Sequence, residues 1–125
     1  MSGQWSGWSI RDAPAVLARL HLLEVPLVHP VLVLDHVTHA YPALGPAVPE
    51  PALVRIIGWA ADARIQALVV KVDGRLTRPD GRQYHITLSK RLEAADKESN
   101  DMLQKADYRE IPSFLIDTTP FIRSI

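Results

Sequence analysis

Residues 31–41 read VLVLDHVTHAY, and residues 83–90 read QYHITLSK. Each stretch carries the pattern His-x-Thr: His36-Val37-Thr38 in the first and His85-Ile86-Thr87 in the second. Both are rich in β-branched and apolar residues, and both read as β-strands. Strand side chains alternate between faces, so a His and a Thr two residues apart point the same way. Two such strands side by side would present two imidazoles and two hydroxyls to one pocket. That set suits phosphodiester chemistry: one His takes a proton, the other gives one, and the hydroxyls hold phosphate oxygens.

Working outward, the run from Val31 to Tyr41 is expected as one strand, with Leu32, Leu34, His36 and Thr38 on one face and Asp35 and His39 on the other. Its apolar start suggests a strand covered on both sides that opens into a cleft at its end. Upstream, Trp5 to Ile10 alternates as a first strand. Asp12 is a plausible N-cap for a helix with Pro14 in its first turn and Val16, Leu17, Leu20 and Leu23 on one stripe, ended by Pro26 and Pro30. Downstream, YPALGPAVPEP holds four of the ten prolines and must be a loop. Leu53 to Ala60 and Ile65 to Val72 form a hairpin. Asp73-Gly74 and Pro79-Asp80-Gly81 are turns that deliver the chain into the strand Gln83 to Lys90. Ser99 is expected to cap a short helix through Met102, Leu103 and Ala106. Pro112 to Asp117 reads as a last strand, and the tail TTPFIRSI is apolar enough to dock. The expected class is α+β, largely antiparallel, with about six strands and two helices.

Composition narrows the options. At 125 residues the chain suits one domain, spanning 1–125, and 47% hydrophobic residues support a packed core. Fourteen basic and fourteen acidic residues cancel, which argues against coating duplex DNA by bulk charge but permits a small anionic ligand. There is no cysteine, so disulfides and thiolate chemistry are excluded. No apolar stretch is long enough to span a membrane, and MSGQWSGWSIRD lacks the pattern of a signal peptide, so a cytoplasmic location is expected.

DHVTHAY and YHITLS, with the apolar strand IQALVVKVDG before the second motif, resemble the paired motifs of the two-histidine (2H) phosphoesterase superfamily. That superfamily includes cyclic phosphodiesterases of tRNA processing, 2′,5′ phosphodiesterases resembling RNA ligases, and phage nucleases of cyclic oligonucleotides. The likeness covers roughly Val31 to Ser89. It implies a bilobal, antiparallel fold around a central cleft, each lobe supplying one motif. His36 and His85 would be the acid–base pair, Thr38 and Thr87 the phosphate ligands, and no metal or other cofactor would be required. The link before His85 is only RLTRPDGR, where many members carry a helix, so the lobes would be unequal and the cleft more open.

Further candidates surround the motifs. Tyr41 opens the loop after the first motif and could stack a nucleobase, a contact that contributes about 1–3 kcal/mol. Trp59 and Tyr84 read as ordinary packing, and Trp5 and Trp8 as core or edge cover. Ser89 would extend the row of His85 and Thr87. Lys71, Arg78, Arg82, Lys90 and Arg91 flank the second motif as a phosphate-recruiting patch or a solvated surface; Lys71 and Arg82 are the candidates for substrate contact. Asp35, on the face away from His36, is not expected to orient it. His39 does not converge with His36 on a metal and reads as an exposed or capping residue; His21 and His29 read as surface or loop positions. The favoured function is a phosphodiesterase for 2′,3′-cyclic phosphates, 2′,5′ linkages or cyclic oligonucleotides. The alternative is a module that binds nucleotides or RNA ends without cleaving them, and a third reading makes the repeated motif accidental in an interaction domain.

Overall fold

Antiparallel pairing joins all the strands of the described residues. A computed structural model describes residues 3–105 and 107–125; it contains two helices and eight strands in two antiparallel sheets, an α+β fold. The elements are β1 (Gln4–Ile10), α1 (Ala13–Leu22), β2 (Val31–Leu32), β3 (His36–Ala40), β4 (Val54–Ala61), β5 (Ile65–Val72), β6 (His85–Lys90), α2 (Glu98–Lys105), β7 (Arg109–Ile116) and β8 (Thr118–Ser124). The smaller sheet has the order β3-β1-β8 and the larger β2-β6-β5-β4-β7. No helix among the described residues is long and apolar enough to cross a membrane.

The strand count exceeds the expected six for two reasons. The tail is ordered as β8 along the whole of β1, from Gln4 opposite Ser124 to Ile10 opposite Thr118. The expected strand from Val31 to Tyr41 is also two strands. Val31 and Leu32 pair with Lys90 and Ser89 of β6, and the amides of Val33 and Leu34 still donate to Leu88 and Thr87 of that strand. At Leu34 the backbone enters the left-handed region, with φ 45°, a conformation costly for a non-glycine residue. One residue later the carbonyl of Asp35 accepts from the amide of Ile10 in β1. The chain thus leaves one sheet and joins the other between Leu34 and Asp35. Leu34 is buried in the main core, which holds the bend in place.

That core lies between one face of the larger sheet, α1 and the inner face of the smaller sheet. It joins Val16 and Leu20 of α1, Trp8, Val37, Leu68, Val70, Ile86 and Leu88. A second cluster packs Met102 and Leu103 of α2 on Ala67 and Val69, on the other face of the larger sheet. Burial of these apolar faces is the main driving term, at about 25 cal/mol per Å² removed from water.

Local signals account for the helices. Asp12 caps α1, its carboxylate accepting from the amide of Ala15 at 3.1 Å. α1 ends before the prolines, however: Leu23 turns back onto Arg19 and Glu24 takes φ 61°. Ser99 is not the cap of α2 but sits inside its first turn, fully buried. Ala106, named at the far end of that helix, lies outside the described residues. β4 and β5 form the expected hairpin, and Asp73, Gly74 and Gly81 take the positive φ values that their turns demand.

Candidate functional site

The pairing of β2 with β6 lays the segment before the first motif alongside the strand that carries the second. Val31 lies opposite Lys90 and Leu32 opposite Ser89, and the hydrogen bonds of Val33 and Leu34 extend the same register. Continued by two residues, it sets His36 opposite His85. The bend at Leu34 carries His36 onto the smaller sheet, but β3 stays packed against β6, and the His36 charge acts on the His85 imidazole. Each motif therefore comes from a different sheet, at the seam where the sheets meet.

His36 is held by charge and by aromatic rings. Its Nδ1 lies 2.9 Å from Oδ2 of Asp35, and the same oxygen accepts from Nη1 of Arg123 at 3.2 Å. The expectation that Asp35 would not orient His36 is corrected: strand alternation does not run through it, because Asp35 sits at the crossing between sheets. Burial works to raise the Asp35 carboxyl, but hydrogen bonds from His36 and Arg123 outweigh it and hold the group below its ordinary value. Trp5 and Phe121 meet the His36 ring edge to face, with centroids 4.9 and 5.9 Å away. Both share its face through β1, where Ser9 pairs with His36 and Gly7 with both Thr38 and Phe121. Arg123 lies over the Phe121 ring at 4.0 Å and over Trp5 at 5.6 Å.

His85 is 9% exposed. Its Nδ1 donates to the carbonyl of Gln83 at 3.0 Å, which leaves Nε2 as the free ring nitrogen. Burial lowers its pKa from the ordinary imidazole value. The Gln83 carbonyl opposes that shift, while the charges of Arg78, His36 and Arg82 add to it. His85 therefore stays neutral at neutral pH, with Nε2 able to accept a proton.

Other candidates divide. Thr38 lies on the His36 face, half-buried. Thr87 is buried, and its hydroxyl lies 2.9 Å from that of Ser99 in α2, so it is occupied. Ser89 does not extend the row. A bulge at Leu88 separates the Gln66–Ser89 pair from the Ala67–Thr87 pair and breaks the alternation. Fully buried, Ser89 donates to Gln66 at 2.7 Å and accepts from the amide of His29 at 3.2 Å, pinning the loop after α1. Tyr41 is 54% exposed and leans on Trp5, with ring centroids 5.9 Å apart. Lys71 and Arg82 are exposed; the Arg82 charge reaches His85.

His39 faces away from His36, as the alternation requires, but it is not an exposed cap. It is half-buried, packs on Trp8 at 4.9 Å and bonds the Tyr84 hydroxyl at 2.9 Å. Tyr84 and Trp8 belong to the core and Trp59 packs at its margin. Among the described residues no three His, Cys, Asp or Glu side chains converge as a metal-ligand group. An apolar cavity of about 590 Å³ lies away from the motifs, between α1 and Val25–Leu27.

From sequence, Asp35 is set aside and Trp5 reads as core or edge cover, while Phe121 and Arg123 are not singled out. The usable signals are the Asp-His dipeptide and the i, i+2 spacing of Phe121 and Arg123, which puts both on one face once the tail is a strand. No protein-family model, curated protein or solved structure matches this chain.

Proposed function

We propose that the protein is a phosphodiesterase for RNA-type phosphodiesters — a 2′,3′-cyclic phosphate, a 2′,5′ linkage or a cyclic oligonucleotide — working by two-histidine acid–base catalysis that needs no metal. The reading is carried by one observation: His36 and His85 stand on strands of different sheets that pack against each other, each tied down through Nδ1. Tethering one ring nitrogen leaves Nε2 of each imidazole for proton transfer.

The different surroundings of the two histidines divide the labour. His85, kept neutral by burial and neighbouring cations, takes a proton from the attacking water or ribose 2′-hydroxyl. That oxygen forms a bond to phosphorus as the bond to the leaving oxygen breaks. His36 delivers the proton to the leaving oxygen, and the Asp35 carboxylate orients its ring and stabilises its cationic form. Thr38 donates to a phosphate oxygen as charge accumulates there. Thr87 does the same once its hydroxyl turns away from Ser99. Trp5 and Tyr41 offer apolar faces to a base beside the reacting phosphate. These aromatic rings and the near-neutral chain favour nucleotides and single-stranded RNA ends over duplex DNA.

The test is a panel of 2′,3′-cyclic nucleotides and of 2′,5′-linked, 3′,5′-linked and cyclic oligonucleotides, each incubated with and without EDTA. Turnover of at least one substrate is expected in both conditions. His36→Ala and His85→Ala should each lower it by about 10²–10⁴-fold. Full activity in either variant would refute the two-histidine mechanism. Tight nucleotide binding with intact substrate after long incubation would make the protein a binding module.

A further inference from the structure

The cations flanking the second motif are not equivalent. Lys90 pairs with Asp96 at 2.9 Å and Arg91 with Glu93 at 2.9 Å, while Lys71 and Arg82 point into solvent. Arg78 differs from all four: it is 5% exposed. Among the described residues its one carboxylate partner, Asp80, is bonded through a single guanidinium nitrogen, Nη2, and its buried Nε has no partner.

A buried guanidinium is expensive unless its donors are met. Here Nη2 meets one oxygen of a carboxylate whose side chain is itself 40% exposed, and Nε is left buried without a partner among the described residues. Asp80 is also shared: its Oδ1 accepts from the backbone amide of Arg82 at 3.0 Å. The turn is closed independently, by bonds between Arg78 and Arg82 and from Gly81 to Arg78, so the chain reversal does not need the ion pair. The position matters too. A bridge between Thr77 and Gln83 fixes Arg78 at the base of the turn that leads into His85. Its charge is felt by His85, His39 and Tyr84. Asp80 and Pro79 form one wall of a cavity of about 440 Å³ whose other wall runs from His39 to Leu44 and includes Tyr41.

We infer that Arg78 is an anion-binding residue whose guanidinium takes a phosphate group of the substrate, and that Asp80 is the internal carboxylate this phosphate displaces. A phosphate offers the oxygens that the unfilled fork lacks, in the planar two-point geometry that arginine favours. The inference rests on the proposed reaction only for naming the anion as part of a nucleotide.

The two residues of the pair should therefore respond in opposite directions. The probe is inorganic phosphate, followed by amide chemical shifts and by thermal melting at constant ionic strength. Arg78→Gln should weaken phosphate binding at least tenfold. Asp80→Asn keeps an oxygen for the Arg82 amide but removes the competing charge. It should bind phosphate several-fold more tightly and gain more thermal stability from it than the wild type. If Arg78→Gln does not fold, Arg78→Lys, which keeps the charge but not the fork, should still bind more weakly. Unchanged affinity in the arginine variants, or equal or weaker binding in Asp80→Asn, would overturn the inference and make the pair a lock for the turn. The readout needs no turnover, so it stands apart from the proposed reaction: either can fail while the other holds.

Discussion

Oδ2 of Asp35 lies 2.9 Å from Nδ1 of His36, although the two residues are sequence neighbours that a continuous strand would turn to opposite faces. The contact exists because the backbone bends at Leu34. It orients the ring from behind, and Arg123 of β8 secures the carboxylate at 3.2 Å. Replacing Asp35 by Asn should leave the fold intact and lower turnover by about tenfold, less than loss of a proton-transfer group itself, because the carboxylate acts on the ring from behind and is half exposed and screened. Arg123→Gln acts one step further back and should cost less. Proton-coupled ¹⁵N shifts of the His36 ring would report whether Asp35→Asn changes its tautomer; an unchanged spectrum with unchanged turnover would remove Asp35 from the mechanism.

The pH dependence has a defined sign. His85 is held below the ordinary imidazole value, chiefly by burial, and must be neutral to accept a proton. The acid limb of kcat/KM should therefore fall at a pH below about 6.5, the value of an unperturbed histidine.

Stability follows the same shift. The unfolded chain binds a proton at His85 at higher pH than the folded chain does, so stability rises with pH through this window. The contribution is complete above about 6.5 and is lost as pH falls from there towards the folded value. His39, also lowered by burial, adds in the same direction. Urea denaturation between pH 5 and pH 8 should show the slope, and His85→Gln should flatten it. An equal slope in that variant would assign the effect elsewhere.

The buried hydroxyl pair of Thr87 and Ser99, 2.9 Å apart, is open to a double-mutant cycle. Ser99→Ala and Thr87→Val should each cost about 1–2 kcal/mol, Thr87→Val the more, since it strands the Ser99 hydroxyl while Ser99→Ala leaves Thr87 a long bond to the Asp96 carbonyl at 3.5 Å. The double variant should cost less than the two single costs added together, because no polar atom is left unpaired. Strict additivity would mean that the hydroxyls do not depend on each other.

Gly7 is required by close approach. A Cβ there would lie 2.1 Å from the backbone carbonyl oxygen of Val37 and 3.2 Å from the Phe121 ring. Gly7→Ala should push β1 from β3, beside Thr38, and cost about 3 kcal/mol. Gly45→Ala, where nothing lies within 4 Å, should leave the melting temperature nearly unchanged and serves as the control.

Much of the architecture was legible because it rests on local chemistry. The Asp12 cap, the β4–β5 hairpin, the proline-rich loop and the turns at Asp73–Gly74 and Gly81 follow from the conformations that individual residues allow. The positions of His36 and His85 on strands were readable for the same reason. Less legible were features that depend on interruptions of a regular period. Ser89 was assigned by alternation to the face of His85, and one bulge at Leu88 redirected it. The run Val31 to Tyr41 has an unbroken strand pattern, and nothing in its composition marks the bend at Leu34. Asp35, Trp5, Phe121 and Arg123 gather around His36 from the link before β3 and from two strands, β1 and β8, at opposite ends of the chain.

By itself, the sequence determined the residue types available for chemistry, their pairing as His-x-Thr on strands, and the α+β class. Those properties are written in side-chain chemistry and in periods of two and 3.6 residues. Only the tertiary structure decided which residues stand behind each imidazole, which hydroxyls are already engaged, and which of the flanking cations is buried with its fork half filled. Those outcomes depend on strand register, on one bulge and on one left-handed residue, each stabilised by packing between segments far apart in the chain.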